Sequence, residues 1–227
     1  MVKDTVSTTP NDGVTSIATT ADPVKAAAPR KQLLASPDAT VDAVLAFANT
    51  HADGGSRVER FTDADGLSAW LIENGLTEAA ADVSAADVGA VRELRDAVVT
   101  VLLGHSADPG TSDTDLDEAE SLLRRAAVRH PVTAVVDRHG ARLVPAQRGL
   151  PGALAGILAA IAELALTGTW SRLKACRNQP CHFAFYDRSR NTSAAYCSTG
   201  CSAQVAMRNY RKRRRTAASP ASGTLAE

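Results

Sequence analysis

Residues 172–215 read RLKACRNQPCHFAFYDRSRNTSAAYCSTGCSAQVAMRNYRKRRR and hold all the cysteines of the chain. The spacing is C-x4-C-x15-C-x3-C, formed by Cys176, Cys181, Cys197 and Cys201. Two close pairs on a loop-rich stretch suit a tetrahedral metal, because such a metal needs four ligands converging from two tight turns. The spacing therefore predicts one structural zinc ion bound by these four thiolates.

Other uses of four cysteines compete with zinc. Two disulfides would require an oxidising compartment, and the sequence shows no secretory signal. An iron–sulfur cluster also takes four thiolates, but its familiar spacings are tighter and more asymmetric. CRNQPCH (176–182) has four residues between its cysteines, whereas covalent haem attachment has two. His182 is a spare ligand candidate, although four thiolates already complete the shell, so catalysis by the metal is not expected.

A basic run follows the last cysteine and is predicted to be helical, with Cys201 in the first turn. Four basic residues share one face of that helix by their spacing of 3, 4 and 7: Arg208, Arg211, Lys212 and Arg215. The opposite side is expected to pack on the zinc core through Ala203, Ala206, Met207 and Tyr210. Arginine suits bidentate phosphate or guanine recognition. The predicted nucleic-acid-binding residues are Arg188, Arg190, Arg208, Arg211, Lys212, Arg213, Arg214 and Arg215.

Residues 172–213 resemble the CGNR-type zinc finger found at the C-terminus of bacterial ABATE-domain proteins, which are proposed stress-related transcription regulators. The matching pieces are RLKAC (172–176), Cys181, FYDRSRN (185–191), YCS (196–198) and RNYRKRR (208–214). Weaker likeness to the ABATE domain extends upstream through VDAVLAFANT (41–50) and ERFTDADGLSAWLIENGL (59–76). Ala46 stands where the ABATE domain commonly has an acidic residue, and the zinc finger departs from the family pattern at one place. The family's Cys-Gly-Asn-Arg reads Cys201-Ser202-Ala203-Gln204 here, so the ligand is kept but the Asn and Arg are lost.

The neutral chain hides two opposed charges. Residues 41–169 carry a net charge of −9, whereas residues 170–215 carry +10. Such asymmetry points to a polyanion partner for the basic part. Four bound thiolates around one zinc would leave a charge of −2, which nearby basic residues are expected to offset: Lys174, Arg177, Arg188 and Arg190. The predicted domains are a disordered leader (1–40), an ABATE-like helical domain (41–169), the zinc finger with its basic helix (170–215) and a disordered tail (216–227).

The predicted fold is mainly α: a helical bundle with one small β-hairpin, then a treble-clef-like zinc module with four cysteine ligands that ends in a basic helix. Ser84-x-x-Asp87 starts one helix, whose apolar stripe is interrupted by Arg95. This arginine is expected at a solvated edge, with a buried partner for an acid as the alternative. Gly140 marks the turn of a hairpin over 132–145. The apolar run 150–168 approaches a membrane-spanning length, but Glu163 and several alanines favour a central helix of a soluble bundle.

These features predict a cytoplasmic, zinc-binding transcription regulator that binds nucleic acid, preferably double-stranded DNA, through its basic helix. Phosphate loops, paired catalytic carboxylates and nucleophile elbows are not recognisable, so no enzyme activity is expected. The scattered histidines His51, His105, His130 and His139 are interpreted as surface or loop residues. An RNA-binding zinc protein and an adaptor with purely structural zinc remain alternatives. A homodimer and a small-molecule or protein signal at the N-terminal domain stay open.

Overall fold

Helices form most of the part of the chain that the structure describes. The computed structural model describes residues 39–77 and 82–218. Six α-helices lie within these ranges: α1 Ala39–Ala48, α2 Ala64–Glu73, α3 Ala85–His105, α4 Asp113–Arg129, α5 Gly149–Leu166 and α6 Thr199–Ala218. The prediction of a mainly α fold is confirmed. The leader lies outside these ranges apart from its last two residues, and the tail lies outside them beyond Ala218.

Serine residues fix where α3 and α4 begin. The Ser84 hydroxyl accepts a hydrogen bond from the backbone N–H of Asp87, whose carboxylate accepts one from the Ser84 N–H. Ser112 and Asp115 form the same reciprocal pair at the start of α4. Each pair satisfies backbone donors that would otherwise lack a partner, and each cap is worth about 1 kcal/mol.

Two small antiparallel sheets interrupt the helices. The first contains β1 (Val132–Asp137) and β2 (Gly140–Pro145), with Asp137 opposite Gly140 at the turn. The second contains β3 (Leu173–Ala175) and β4 (Ala184–Tyr186), with Lys174 opposite Phe185. The first confirms the predicted hairpin. The second lies inside the cysteine-rich region, which therefore consists of a β-hairpin followed by a helix.

α5 is long and apolar enough to cross a membrane by length and composition. Leu150, Leu154, Ile157 and Leu164 on this helix are nevertheless buried, and α5 packs on α1 and β2. It is therefore a core helix, as its glutamate and alanines predict. Leu173, Ala175 and Ala184, from β3 and β4, belong to the same apolar core. The cysteine-rich region thus packs into the core of the helical region, and all described residues fall in one compact unit.

The expectation for Arg95 is wrong. Its side chain is only 4% exposed, and its guanidinium donates to the Glu59 carboxylate at 2.6 Å and to Asp96 at 2.9 Å. The guanidinium also lies 5.7 Å from the centre of the Phe61 ring. An arginine can lie on the apolar stripe of α3 because Glu59, from the loop between α1 and α2, pairs with it there. A buried charge needs such a partner, which the helical period alone cannot reveal.

Candidate metal centre and nucleic-acid interface

The β3–β4 hairpin positions the first two cysteines. Cys176 directly follows β3, and its N–H donates to the Phe183 carbonyl at 3.0 Å, just before β4. Cys181 lies in the loop that joins the two strands. The β3–β4 pairing makes the loop between the strands turn back, so the Cys176 and Cys181 thiols lie close together.

The second pair lies at the start of α6. Cys197 precedes this helix, and Cys201 stands in its first turn, where its N–H donates to the Ser198 hydroxyl at 3.2 Å. The prediction that the two cysteines bracket the helix start is confirmed. The helix therefore projects directly from the cysteine cluster.

All four sulfur atoms converge, lying within 4.8 Å of one another. The Cys197 sulfur is 3.7 Å from the Cys181 sulfur and 3.7 Å from the Cys201 sulfur. A tetrahedral zinc with bonds of about 2.3 Å separates its sulfurs by about 3.8 Å, whereas a disulfide holds them at about 2.05 Å. The cysteines are free thiols, so the cluster fits a tetrahedral metal and not two disulfides. His182 is not part of the cluster.

The thiols perturb one another strongly. Hydrogen bonds with the Cys176 and Cys197 thiols lower the pKa of Cys181 to about 2. The contact with Cys181 raises the pKa of the Cys176 thiol to about 11, and contacts with Cys176 and Cys181 raise the pKa of Cys197 above its usual range. One thiolate thus suppresses ionisation of its neighbours. A divalent cation removes this repulsion, because metal binding requires and stabilises deprotonated thiols.

A buried ion pair stiffens the hairpin beside the cluster. The Lys174 ammonium lies 2.9 Å from the Asp187 carboxylate, and the two side chains are 5% and 0% exposed. Burial raises the pKa of Asp187, but hydrogen bonds from Ser189 and Lys174 outweigh it and hold that pKa at about 2. Lys174 also donates to the Thr192 carbonyl. The pair therefore fastens the loop after β4 to β3, and the lysine charge is already balanced.

Side chains from the helical region bond to both strands of this hairpin. The Asn49 amide accepts from the Ala184 N–H at 2.8 Å and donates to the Ala184 carbonyl at 2.9 Å, which imitates a neighbouring strand. On the other strand, Ser106 donates to the Ala175 carbonyl at 2.6 Å and His105 Nδ1 donates to the Leu173 carbonyl at 2.9 Å. The metal-binding hairpin is therefore bonded to the helical region along both of its edges.

Arg57 and His51, from the segment between α1 and α2, reach the cysteine loop itself. Arg57 Nη2 donates to the Cys181 carbonyl at 2.5 Å and lies 2.7 Å from His51 Nε2. Because arginine only donates, Nε2 accepts, and the ring proton is on Nδ1, which donates to the Ala48 carbonyl at 2.8 Å. Burial first and the Arg57 charge second lower the pKa of His51, which favours this neutral form. His51 lies in a loop, as the sequence suggests, whereas His105 ends α3; both are half-buried, and His105 is bonded to β3.

The four basic residues predicted to share a face of α6 do so. They line one shallow cleft of about 360 Å3 together with Thr216: Arg208, Arg211, Lys212 and Arg215. Arg213 and Arg214 are exposed on the same helix, and Arg188 and Arg190 are exposed on the loop after β4. These eight residues are therefore accessible, while their contact with nucleic acid stays a prediction.

The expected packing of the opposite side of α6 is wrong. Met207 and Tyr210 are 51% and 50% exposed, and Ala203 and Ala206 are exposed as well. The β3–β4 hairpin instead packs on α3 and α1 of the helical region, which leaves α6 uncovered.

Asn178 holds the base of α6 against the first cysteine loop. This residue is 3% exposed, and its amide donates to the Gln204 side chain at 2.9 Å. The amide oxygen also accepts from the Arg208 guanidinium. Gln204 stands where the family motif has arginine. The substituted residue therefore still makes a polar contact at this position. Arg208 consequently begins the basic face with one of its donors already used.

A second, acidic cleft lies between α3 and α4, with a volume of about 510 Å3. Its charged lining comprises Glu93, Asp96, Asp115, Glu118 and Arg125. Four acids and one arginine give this lining a net charge of −3, part of the −9 of residues 41–169. Its sign is opposite to that of the α6 face, as the segmental charges predict.

A two-stranded hairpin and a following helix that present four convergent thiols define a zinc-finger type of module, joined here to a helical domain. A family model described as "Putative stress-induced transcription regulator" (ABATE) matches residues 41–168. A second model, described as "CGNR zinc finger", matches residues 172–214. The chain belongs to the ABATE family and carries the CGNR zinc finger. No curated protein matches the chain.

Proposed function

We propose that this protein is a cytoplasmic transcription regulator that binds one zinc ion and contacts double-stranded DNA through α6. Zinc is held by Cys176, Cys181, Cys197 and Cys201, and it fixes the position from which α6 projects. The helical domain carries the regulatory input. We assign the chain no catalytic reaction.

The cationic face of α6 is the observation that carries this proposal. Four basic side chains line one cleft on a helix whose side chains from Ala206 to Thr216 are all exposed. An exposed basic helix anchored at one end suits a groove or a phosphate backbone, and guanidinium groups pair well with phosphate oxygens. The metal supports the same use, because it fixes the start of the helix without filling its binding face.

Salt dependence of DNA affinity tests this role. Each neutralised phosphate contributes about 0.9 to the slope of log affinity against log salt. Replacing the four residues of the cleft by alanine should therefore lower the slope by about 3 to 4 while zinc content stays at one ion per chain. A matched variant removes four exposed arginines of the helical region, so that the net charge is the same: Arg124, Arg125, Arg129 and Arg138.

The outcome separates the candidate functions. An equal loss of slope in both variants would mean that only net charge matters, and the proposed interface would be wrong. Duplex RNA and heparin are measured as competitors in the same assay. Tighter binding to RNA than to DNA would favour an RNA-binding zinc protein, and no binding to any polyanion would favour an adaptor.

A further inference from the structure

Two of the four basic residues that the sequence suggests for balancing the charge of the metal centre already bind other groups. A zinc ion with four thiolates carries a charge of −2, and such charge is costly to hold away from water. Lys174 is already paired with Asp187. Arg177 donates to the Ser106 carbonyl of the helical region, through Nε at 2.6 Å. The charge of Lys174 is therefore already balanced, whereas Arg177 is held by a neutral carbonyl and keeps its charge.

Arg57 touches the cysteine loop from outside it. Its Nη2 donates to the Cys181 carbonyl at 2.5 Å, and its guanidinium lies 5.3 Å from the centre of the Phe183 ring. The arginine therefore contacts the residues on both sides of His182, at the turn that leads into β4. It approaches this turn from the segment between α1 and α2, more than 120 residues earlier in the chain.

The guanidinium is held in place by its own surroundings. Nε donates to the His51 carbonyl at 2.6 Å, Nη2 donates to His51 Nε2 at 2.7 Å, and the Arg57 N–H donates to the Asp53 carboxylate at 3.0 Å. Because these bonds already fix the guanidinium, its charge stays beside the cysteine loop, and metal binding costs little further side-chain entropy.

We propose that Arg57 is a positioning residue of the metal centre, which holds the Cys181 turn and offsets the charge of the bound metal–thiolate group. This inference rests on the zinc site of the proposed function. Groups that touch ligand residues in this way typically change metal affinity by about 10- to 100-fold when removed. Metal affinity therefore depends on a residue of the helical domain, and the two family modules share one metal centre.

The test compares zinc affinity of full-length variants by competition with a chromophoric chelator. Wild-type protein is measured first; if it binds no zinc, the zinc site itself fails, independently of Arg57. Arg57→Ala should then bind zinc about 10- to 100-fold more weakly than wild type and release it faster. Arg57→Lys should lie between the two, because lysine keeps the charge but not the fork. Arg60→Ala is the control, since Arg60 is 44% exposed and pairs only with Glu73 among the described acids.

Thermal unfolding separates a role in metal binding from a merely structural one. If Arg57 acts on the metal centre, the alanine variant should lose more thermal stability with zinc bound than after chelation. Equal losses in both forms, with wild-type zinc affinity, would overturn the inference, as would an equal effect of Arg60→Ala. If Arg57→Ala is insoluble, Arg57→Lys decides: weaker zinc binding supports the role and unchanged binding rejects it.

Discussion

Replacing Asp187 by asparagine should destabilise the zinc finger more than any exposed charge change. The carboxylate accepts from the Ser189 and Ala194 N–H groups at 2.8 and 2.9 Å, and from Lys174 at 2.9 Å. Asparagine offers only one acceptor oxygen and removes the charge, so one backbone donor loses its partner and the buried ammonium loses its counter-ion. Breaking a buried ion pair from one side costs about 3–5 kcal/mol. We expect a loss of that size.

Urea unfolding of the zinc-loaded protein at neutral pH measures this loss. Asp137→Asn is the matched control, because Asp137 also accepts a backbone N–H and pairs with Arg142 at 2.8 Å, but the two side chains are 43% and 59% exposed. Its cost should be much smaller than that of Asp187→Asn, because solvent screens an exposed ion pair. Similar costs for the two variants would refute the argument from burial.

The same carboxylate gives a pH signature. Its pKa stands at about 2, below the usual 3.8, so its contribution to stability is complete above the unfolded pKa and is lost as the pH falls towards 2. The difference between these two pKa values, about 1.8, corresponds to roughly 2.5 kcal/mol. The stability difference between wild type and Asp187→Asn should therefore shrink by about that amount between about pH 5 and pH 2. The measurement is made with chelator present at every pH, so that acid cannot act by releasing the metal.

Three further substitutions test other contacts. Asn178→Ala should weaken DNA binding without changing the salt slope, because every cation remains. In an Arg208→Ala background the same change should reduce DNA affinity less, and additive losses would exclude the Asn178–Arg208 contact as the cause. Arg95→Ala should lower the free energy of unfolding by about 3 kcal/mol, since it leaves the Glu59 carboxylate without its buried partner; a loss below about 1 kcal/mol by urea unfolding would contradict this. Ser84→Ala should cost about 1 kcal/mol through the lost helix cap, measured as a fall in the urea midpoint.

Much of the fold could be predicted because its signals are local. Capping pairs, the glycine turn of the first hairpin and the apolar period of α5 depend on residues close in sequence. The cysteine spacing likewise predicts the convergence of the four thiols, because two tight turns are enough to bring each pair together. Family resemblance then places both modules on the chain.

The contacts between the modules could not be predicted in this way. Asn49 reaches Ala184 and Arg57 reaches Cys181 across separations of more than 120 residues. Asn49 lies at the end of a stretch that resembles the family, but nothing in that stretch indicates its partner, and Arg57 stands in no recognised pattern. The exposure of α6 has the same origin. Its apolar side has helical spacing, but the β3–β4 hairpin is occupied by the helical region, so that side remains uncovered. Pairing over such distances follows from the tertiary fold and leaves no trace in local periodicity.

The exposed second half of α6 should respond to salt in two opposite ways, one on helix stability and one on DNA binding. Arg208 and Lys212, like Arg211 and Arg215, are like charges four residues apart, and each such pair destabilises an isolated helix by about 0.2–0.5 kcal/mol. No burial offsets this strain from Ala206 to Thr216. Added salt should therefore screen the repulsion and raise the helical content of the free protein, while it weakens the proposed binding to DNA. A phosphate backbone would relieve the same repulsion, so circular dichroism should show helix gained on binding at low salt and little gained at high salt.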